Sequence, residues 1–381
     1  AADTYIDITD DIVNSVMQAI EFDTNTSTGT IGDDRAVTIK FKGSLIDTDS
    51  DITVSIGGSS SADKIIYTSD LPSAFDAGGG NDTLIVKSGL GAISLDVADN
   101  AAIGTFENID ASAANSAVTI AMQGSFKDVK LGSGADIIQI TEAADLGTVS
   151  VDGGTGIDTL EITANAQTIA AADLAKLTAV EILQTGDGAN SITLGATDSI
   201  YKIVGGAGAD TIDASARTVS SATEGNFDLT IEAGAGDDVV TISQGKDSID
   251  LGDGDNILNI ASANLTSADK ITSGSGTTDK IVLKATDTTI TDNQLTQLTG
   301  FEELAGGAAT TTVTLGDQSI EAGIIKVDVS ASTGAATVDL SAMTSDVDMT
   351  VLGSANGLTI KTRAEQITAD DTFTGGAATT D

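Results

Sequence analysis

Gly205-Gly206-Ala207-Gly208-Ala209-Asp210-Thr211-Ile212-Asp213 satisfies, at every defined position, the nine-residue pattern GGxGxDxUx, in which U is a large aliphatic residue. Gly153-Gly154-Thr155-Gly156-Ile157-Asp158-Thr159-Leu160-Glu161 is a second full match. Near matches reach their acidic position at Asp82 (AGGGNDTLI), Asp136 (LGSGADIIQ) and Asp238 (AGAGDDVVT), each keeping the second and fourth glycines, the Asp and the aliphatic residue. Glycine permits the positive φ of a tight turn, and the aliphatic residue two places after the Asp points inward from a short strand. A turn-and-strand unit repeated in this way predicts an all-β chain, a parallel β-helix or β-roll solenoid with glycine-rich loops and short helical excursions.

Composition agrees. Aromatic residues are 3% of the 381, with no Trp, so the apolar 40% is mostly small aliphatics suited to thin stacked coils. One Pro and 42 Gly fit a chain that turns constantly while keeping its backbone donors for sheet ladders. A mean hydropathy of +0.13 argues against an acidic disordered tail. The absence of Cys and His removes disulfides, zinc sites and thiol or imidazole catalysis. Seventeen Lys and Arg face 57 carboxylates, a net charge of −40 that excludes nucleic acid and anionic membrane as partners and calls for counter-ions. No apolar run has the length of a membrane span, so no membrane insertion is expected. The chain opens on Ala1 and closes on TGGAATTD, the start of another glycine loop, and reads as a processed chain or part of a longer one.

Residues 1–75 differ from the rest. Asp10 and Asp11 precede Ile12, Val13, Val16, Met17 and Ile20 at helical spacing, and alternating stretches at 37–42 and 51–56 read as strands, together an N-terminal capping segment. From 76 to 381 degenerate modules follow, with copies near 78–124, 131–195 and 251–316. Residues 158–183 align without a gap to 279–304, an offset of 121, placing Leu174, Leu177, Glu181 and Leu183 on Leu295, Leu298, Glu302 and Leu304. A divergent copy carries Glu107 at the equivalent place. The paired leucines predict a helical turn docked on the stack, and the recurring Glu is read as a capping or coil-stacking hydrogen bond.

The loops have the chemistry of a calcium site. Turn carbonyls, those of Gly153, Gly205 and Gly234 among them, point into the gap between stacked loops, and the Asp adds a hard anionic oxygen. A strict roll stacks loops two nonapeptides apart, which pairs Asp238 with Asn256 and brings Asp253 and Asp255 close by. Without a cation, carboxylates of neighbouring loops repel.

With these motifs the chain resembles the RTX (repeats-in-toxin) family of secreted bacterial proteins, and within it the RTX-type surface-layer (S-layer) proteins. GGAGADTID and GGTGIDTLE match the family nonapeptide. Gly300-Phe301-Glu302-Glu303-Leu304 and Thr105-Phe106-Glu107-Asn108-Ile109 look like the element found between the repeats of such proteins. The resemblance implies Ca2+ as cofactor, with ligands carried over to Asp82, Asp136, Asp158, Asp210, Asp238, Asp247 and Asp279. It also implies type I secretion, folding on meeting extracellular calcium, and self-association into a lattice or fibre at the bacterial cell surface, where surface polysaccharide is a further partner. Asn190 and Asn256 depart from the Asp of the pattern.

The expected function is therefore structural, a calcium-stabilised solenoid of a surface layer, and not an enzyme. The alternative is a stiff spacer segment of a large RTX adhesin or biofilm-matrix protein. Parallel β-helices also host polysaccharide lyases, but here Tyr5, Tyr67 and Tyr201 are scattered and Arg35, Arg217 and Arg363 do not cluster. An ice-binding solenoid needs a Thr-x-Thr array on one face, and the run 310–314 (TTTVT) has no repeat at a fixed period.

Overall fold

The structure, a computed structural model, describes residues 62–67, 75–97, 99, 101–122, 126–218 and 227–376. The helix expected near 10–21 and the strands expected at 37–42 and 51–56 lie outside the described residues. What is described is all-β: parallel strands of two to five residues stacked as solenoid coils, with helix limited to short turns. It divides into two compact units, one of the described residues up to 136 with 154–156, the other of 137–153 and 157 onward.

In the first unit, Lys64–Tyr67, Thr83–Val86, Asn108–Asp110 and Asp128–Lys130 pair in that order, and Ile93–Asp96 pairs with Val118–Met122. The stack thus already includes Lys64–Tyr67, ahead of the boundary expected at residue 76. In the second unit, one sheet runs from Ile137–Ile140 through Thr159–Ile162 and Leu229–Glu232 to Leu298–Thr299. A ten-stranded sheet runs from Thr168–Ile169 to Thr372–Thr374, and a four-stranded sheet from Thr289–Thr291 to Leu358–Lys361.

Strand alternation builds the core. In the first of these sheets Leu160, Leu183, Ile203, Ile231, Ile249, Ile271 and Leu298 form one in-register column. In the ten-stranded sheet Ile169, Ile192, Ile212, Val240, Leu258, Ile281, Leu304, Val327 and Val351 form another. Every member of both columns is buried. Inward aliphatic side chains, one or two per strand, fill the gap of about 10 Å between packed sheets, and the buried Phe106, Phe126 and Phe301 stand in turns between strands.

The 121-residue repeat has a structural meaning. At 159–193, Thr159–Ile162 is followed by Thr168–Ile169, the helical turn Ala171–Leu174, the short strand Leu177–Thr178, then Ile182–Thr185 and Ser191–Thr193. Lys280–Leu283, Thr289–Thr291, Asp292–Leu295, Leu298–Thr299, Glu303–Ala305 and Thr312–Thr314 repeat that order. In both copies the second strand opens a new sheet, while the short strand after the helical turn closes an old one. Leu174, Leu177, Leu295 and Leu298 are buried, docking the excursion as their spacing predicts. The divergent copy pairs Thr83–Val86 with Asn108–Asp110 around the turn Ile103–Thr105.

Replacing Ile231, wholly buried in mid-stack, by Ala is expected to destabilise the protein by about 2–5 kcal/mol in denaturant melts. Ile157→Ala, at a side chain 53% exposed, is expected to stay within about 0.5 kcal/mol.

Candidate functional site

The glycine loops stack on one another along one turn edge of the second unit. Ala207, Ala235 and Asp253 form parallel bridges from loop to loop. A Cβ at Gly234 (φ +116°) would sit 2.0 Å from the Gly206 carbonyl oxygen, and one at Gly252 (φ +85°) 1.8 Å from that of Gly234. Glycine is therefore required here twice over, by the left-handed backbone and by the carbonyl of the preceding coil.

The sixth-position residues form a ladder between coils. Each accepts, through one side-chain oxygen, the backbone N–H of its counterpart one coil earlier. Asn190 N–H donates to Asp210 Oδ1 (2.6 Å), Asp210 N–H to Asp238 Oδ1 (2.7 Å) and Asp238 N–H to Asn256 Oδ1 (2.8 Å). Asn256 N–H then donates to Asp279 Oδ1 (2.7 Å). In sequence these steps span 20, 28, 18 and 23 residues, so the ladder holds one register across coils of unequal length. In the first unit Asp63 N–H donates to Asp82 Oδ1 and Val118 N–H to Asp136 Oδ1, both at 2.7 Å.

The recurring Glu ends the ladder. Asp82, Asp158 and Asp279 donate their N–H groups to Glu107, Glu181 and Glu302 Oε2 at 2.7, 2.9 and 2.7 Å. The backbone carbonyl of each Glu accepts two N–H groups of the next coil, from Lys127 and Asp128, Tyr201 and Lys202, and Ile325 and Lys326. The coil-stacking role expected for this residue is the one it has.

One side of the ladder is left over. Asp82, Asp238 and Asp279 are wholly buried, and in each the second oxygen, Oδ2, has no hydrogen-bond partner. Backbone carbonyls crowd the same side. Where Gly276 would carry a Cβ, Gly254 O (2.2 Å) and Asp279 Oδ2 (2.6 Å) converge. The equivalent point at Gly205 lies 2.0 Å from Ala233 O and 2.8 Å from Asp210 Oδ2, and that at Gly153 lies 1.9 Å from Ala179 O and 2.8 Å from Asp158 Oδ2. At Asp210 the Gly206 N–H reaches Oδ2 at 3.5 Å. Beside Asp279 Oδ2, which has no hydrogen-bond partner, facing acceptors repel unless a proton or a cation joins them. Burial raises the carboxyls of Asp82, Asp136 and Asp210 above their ordinary range. Asp238 is pushed up to about 6 by burial, with Asp210 and Asp237 adding repulsion.

The other predicted residues are placed differently. Asp247 stands at the start of Asp247–Asp250, on the opposite turn edge, where its N–H donates to Asp269 Oδ1 (2.8 Å). Its own carboxylate accepts from Ser243 N and Oγ, and burial pushes it up to about 7. Asp253 and Asp255 are exposed on the outer side of the loop and tie it to the next coil. Asp253 Oδ1 accepts Ser275 Oγ–H (2.5 Å), and Asp255 Oδ1 accepts the Thr277 and Thr278 N–H groups. Among the described residues, no three carboxylates come together as a metal-holding group.

Sequence reasoning missed Asp63, Asp269 and Arg217. Arg217 is 1% exposed and donates from Nη1 to Asp198 O (3.2 Å) and from Nη2 to Asp228 O (3.3 Å), a fixed cation beside the carboxylates of Asp198, Asp228 and Asp247. Its sole signal was being one of three arginines in an acidic chain.

Two outcomes follow from the ladder. Glu302→Ala leaves the Asp279 N–H without its acceptor and should cost about 1–3 kcal/mol, with faster amide exchange at Asp279, whereas Glu302→Gln keeps the bond and most of the stability. The raised carboxyls fix the sign of a pH effect. In chelator, stability is full below the unfolded carboxyl range near 4 and falls as pH rises through about 6 to 7, read as a declining melting temperature. No protein-family model, curated protein or solved structure matches the chain.

Proposed function

We propose that the chain is a structural protein of a bacterial cell surface, a solenoid stapled by calcium that folds after secretion and assembles into a surface layer. The observation that carries this reading is the buried second oxygen of Asp82, Asp238 and Asp279, left without a hydrogen-bond partner. Beside Gly276 the Asp279 carboxylate and the Gly254 carbonyl come from two coils onto the same glycine, hard oxygens of the kind that calcium takes. Bound there, a divalent cation would supply the positive charge that lets these carboxylates stay ionised in the stack. Asp210, Asp238 and Asp279 stand on different coils and would each contribute at their own coil, with the Ala233 carbonyl beside Asp210 and the Gly254 carbonyl beside Asp279.

The β-solenoid fold is compatible with a structural repeat protein, and the likeness of the loops to RTX surface-layer repeats supports the location. The net charge of −40 supports the same reading, since a folded chain so acidic gains from any bound divalent cation. We assign it no reaction.

Titrating calcium into chelated protein at neutral pH is expected to raise the melting temperature, with about 2.7 kcal/mol gained at a hundredfold excess over the dissociation constant. Asp238→Asn keeps the ladder acceptor but removes the charge and should lower the calcium gain. An unchanged melt with and without calcium would refute the cation reading. Imaging after calcium addition separates the layer, seen as two-dimensional sheets, from the spacer of an adhesin, seen as separate rods.

A further inference from the structure

The four-stranded sheet presents a face that the proposed function does not use. Its strands alternate an inward aliphatic residue (Ile290, Val313, Val338, Ile360) with outward positions on either side. Thr289, Thr312, Thr337 and Thr359 form one outward column in strict register. Thr291, Thr314, Asp339 and Lys361 form the second. Along the chain the first column is spaced 23, 25 and 22 residues, which is why no fixed sequence period revealed it. Six of the eight outward residues are threonines. The other two are an ion pair, Lys361 Nζ to Asp339 Oδ2 at 3.6 Å.

This face has a net charge of zero on a chain with a net charge of −40. At any acidic loop edge, copies of the chain meet carboxylate to carboxylate, a repulsion that salt screens only beyond about 8 Å. At the threonine face they do not. The face is also its own complement: turned about a two-fold axis, the Asp339 of one copy meets Lys361 of another, the condition for an isologous contact. We propose that the Asp339–Lys361 end of this threonine face is a contact surface between copies of this chain, paired about a two-fold axis that sets Thr337 and Asp339 of one copy against Thr359 and Lys361 of another.

The inference rests on the self-association reading above and gives it a surface. Four strands at about 4.8 Å spacing make a patch well below the ~800 Å² per partner of a stable dimer. A single contact is therefore weak, as a lattice that assembles reversibly requires, and several contacts per molecule add by avidity. A second, shorter hydroxyl column at the start of the ten-stranded sheet, Thr168, Ser191 and Thr211, stands at the matching place of the preceding module.

The test is a charge swap on the whole chain, read by sedimentation velocity in calcium with circular dichroism as the control for folding. Wild type should self-associate. D339K sets Lys against Lys and should weaken association at least about tenfold, and T337E with T359E should do the same. The double variant D339K/K361D restores the complement and should recover most of the wild-type association. Variants that associate like wild type, or a swap that fails to rescue, overturn the proposal. Folding with calcium but no self-association in wild type would instead remove the assembly reading on which it stands. Loss of binding to ice or to an insoluble glycan, with association unchanged, would give the face to that partner and overturn it as well.

Discussion

The hydrogen bond from a loop N–H to the carboxylate of the next coil is the constraint on which the rest of the stack depends. Strands, and loop residues such as Ala235 and Gly236, bond backbone to backbone between coils, but the buried N–H of the sixth-position residue takes a side-chain acceptor instead. A side chain with a short stem and two acceptor oxygens solves this one coil at a time. Asp fits because its carboxylate reaches one coil spacing while its own N–H stays free to donate in the opposite direction. Asn does equally well for this purpose, and in Asn190 and Asn256 the amide nitrogen finds loop carbonyls as well. What Asn cannot supply is the second anionic oxygen. The ladder and the proposed cation site thus use different halves of one side chain, and substitutions of Asp by Asn separate them.

The ladder also explains how a solenoid with coils of 18 to 28 residues keeps its strands aligned. Extra residues leave through the turns, and the register is reset at each ladder bond and each inward aliphatic residue. Modules end where a Glu replaces the Asp. The following coil brings Tyr201 or Ile325 to that place, neither of which carries a carboxylate, and it is held by the Glu backbone carbonyl instead. At the same junction a new sheet opens and an old one closes. Duplicating a segment of this kind needs no change in its neighbours, since each coil contacts only the coils beside it.

Much of this was legible in the residues. The nonapeptides at 153–161 and 205–213 predicted turn, strand and inward aliphatic residue, and Asp238 with Asn256 were paired from spacing alone. The offset of 121 marked the modules, and Leu174 and Leu295 the docked turn. Two features were not legible. The Asp247 loop, nine residues from Asp238, reads as one more calcium loop, but its carboxylate is taken up by Ser243 on the other edge. The threonine column was hidden because sequence distance along it varies with turn length, whereas strand pairing places its members side by side. Linear period is a poor guide wherever insertions sit in turns, and register is set by what the strands bury.

The two turn edges answer the same electrostatic problem in different ways. Opposite the glycine loops, Asp228, Asp247 and Asp269 are crowded, and burial raises the latter two. There the chain supplies its own cation, Arg217, enclosed and bonded to the Asp198 and Asp228 carbonyls. At the glycine-loop edge around Asp238 and Asp279, converging carbonyls and carboxylate oxygens have no Lys or Arg among their hydrogen-bond partners. A guanidinium needs a side chain and space for it, and the stacked glycines leave neither, since even a Cβ would strike the next carbonyl. The close approach that makes the loops stack is thus what keeps a Lys or Arg side chain of the chain's own out of that edge.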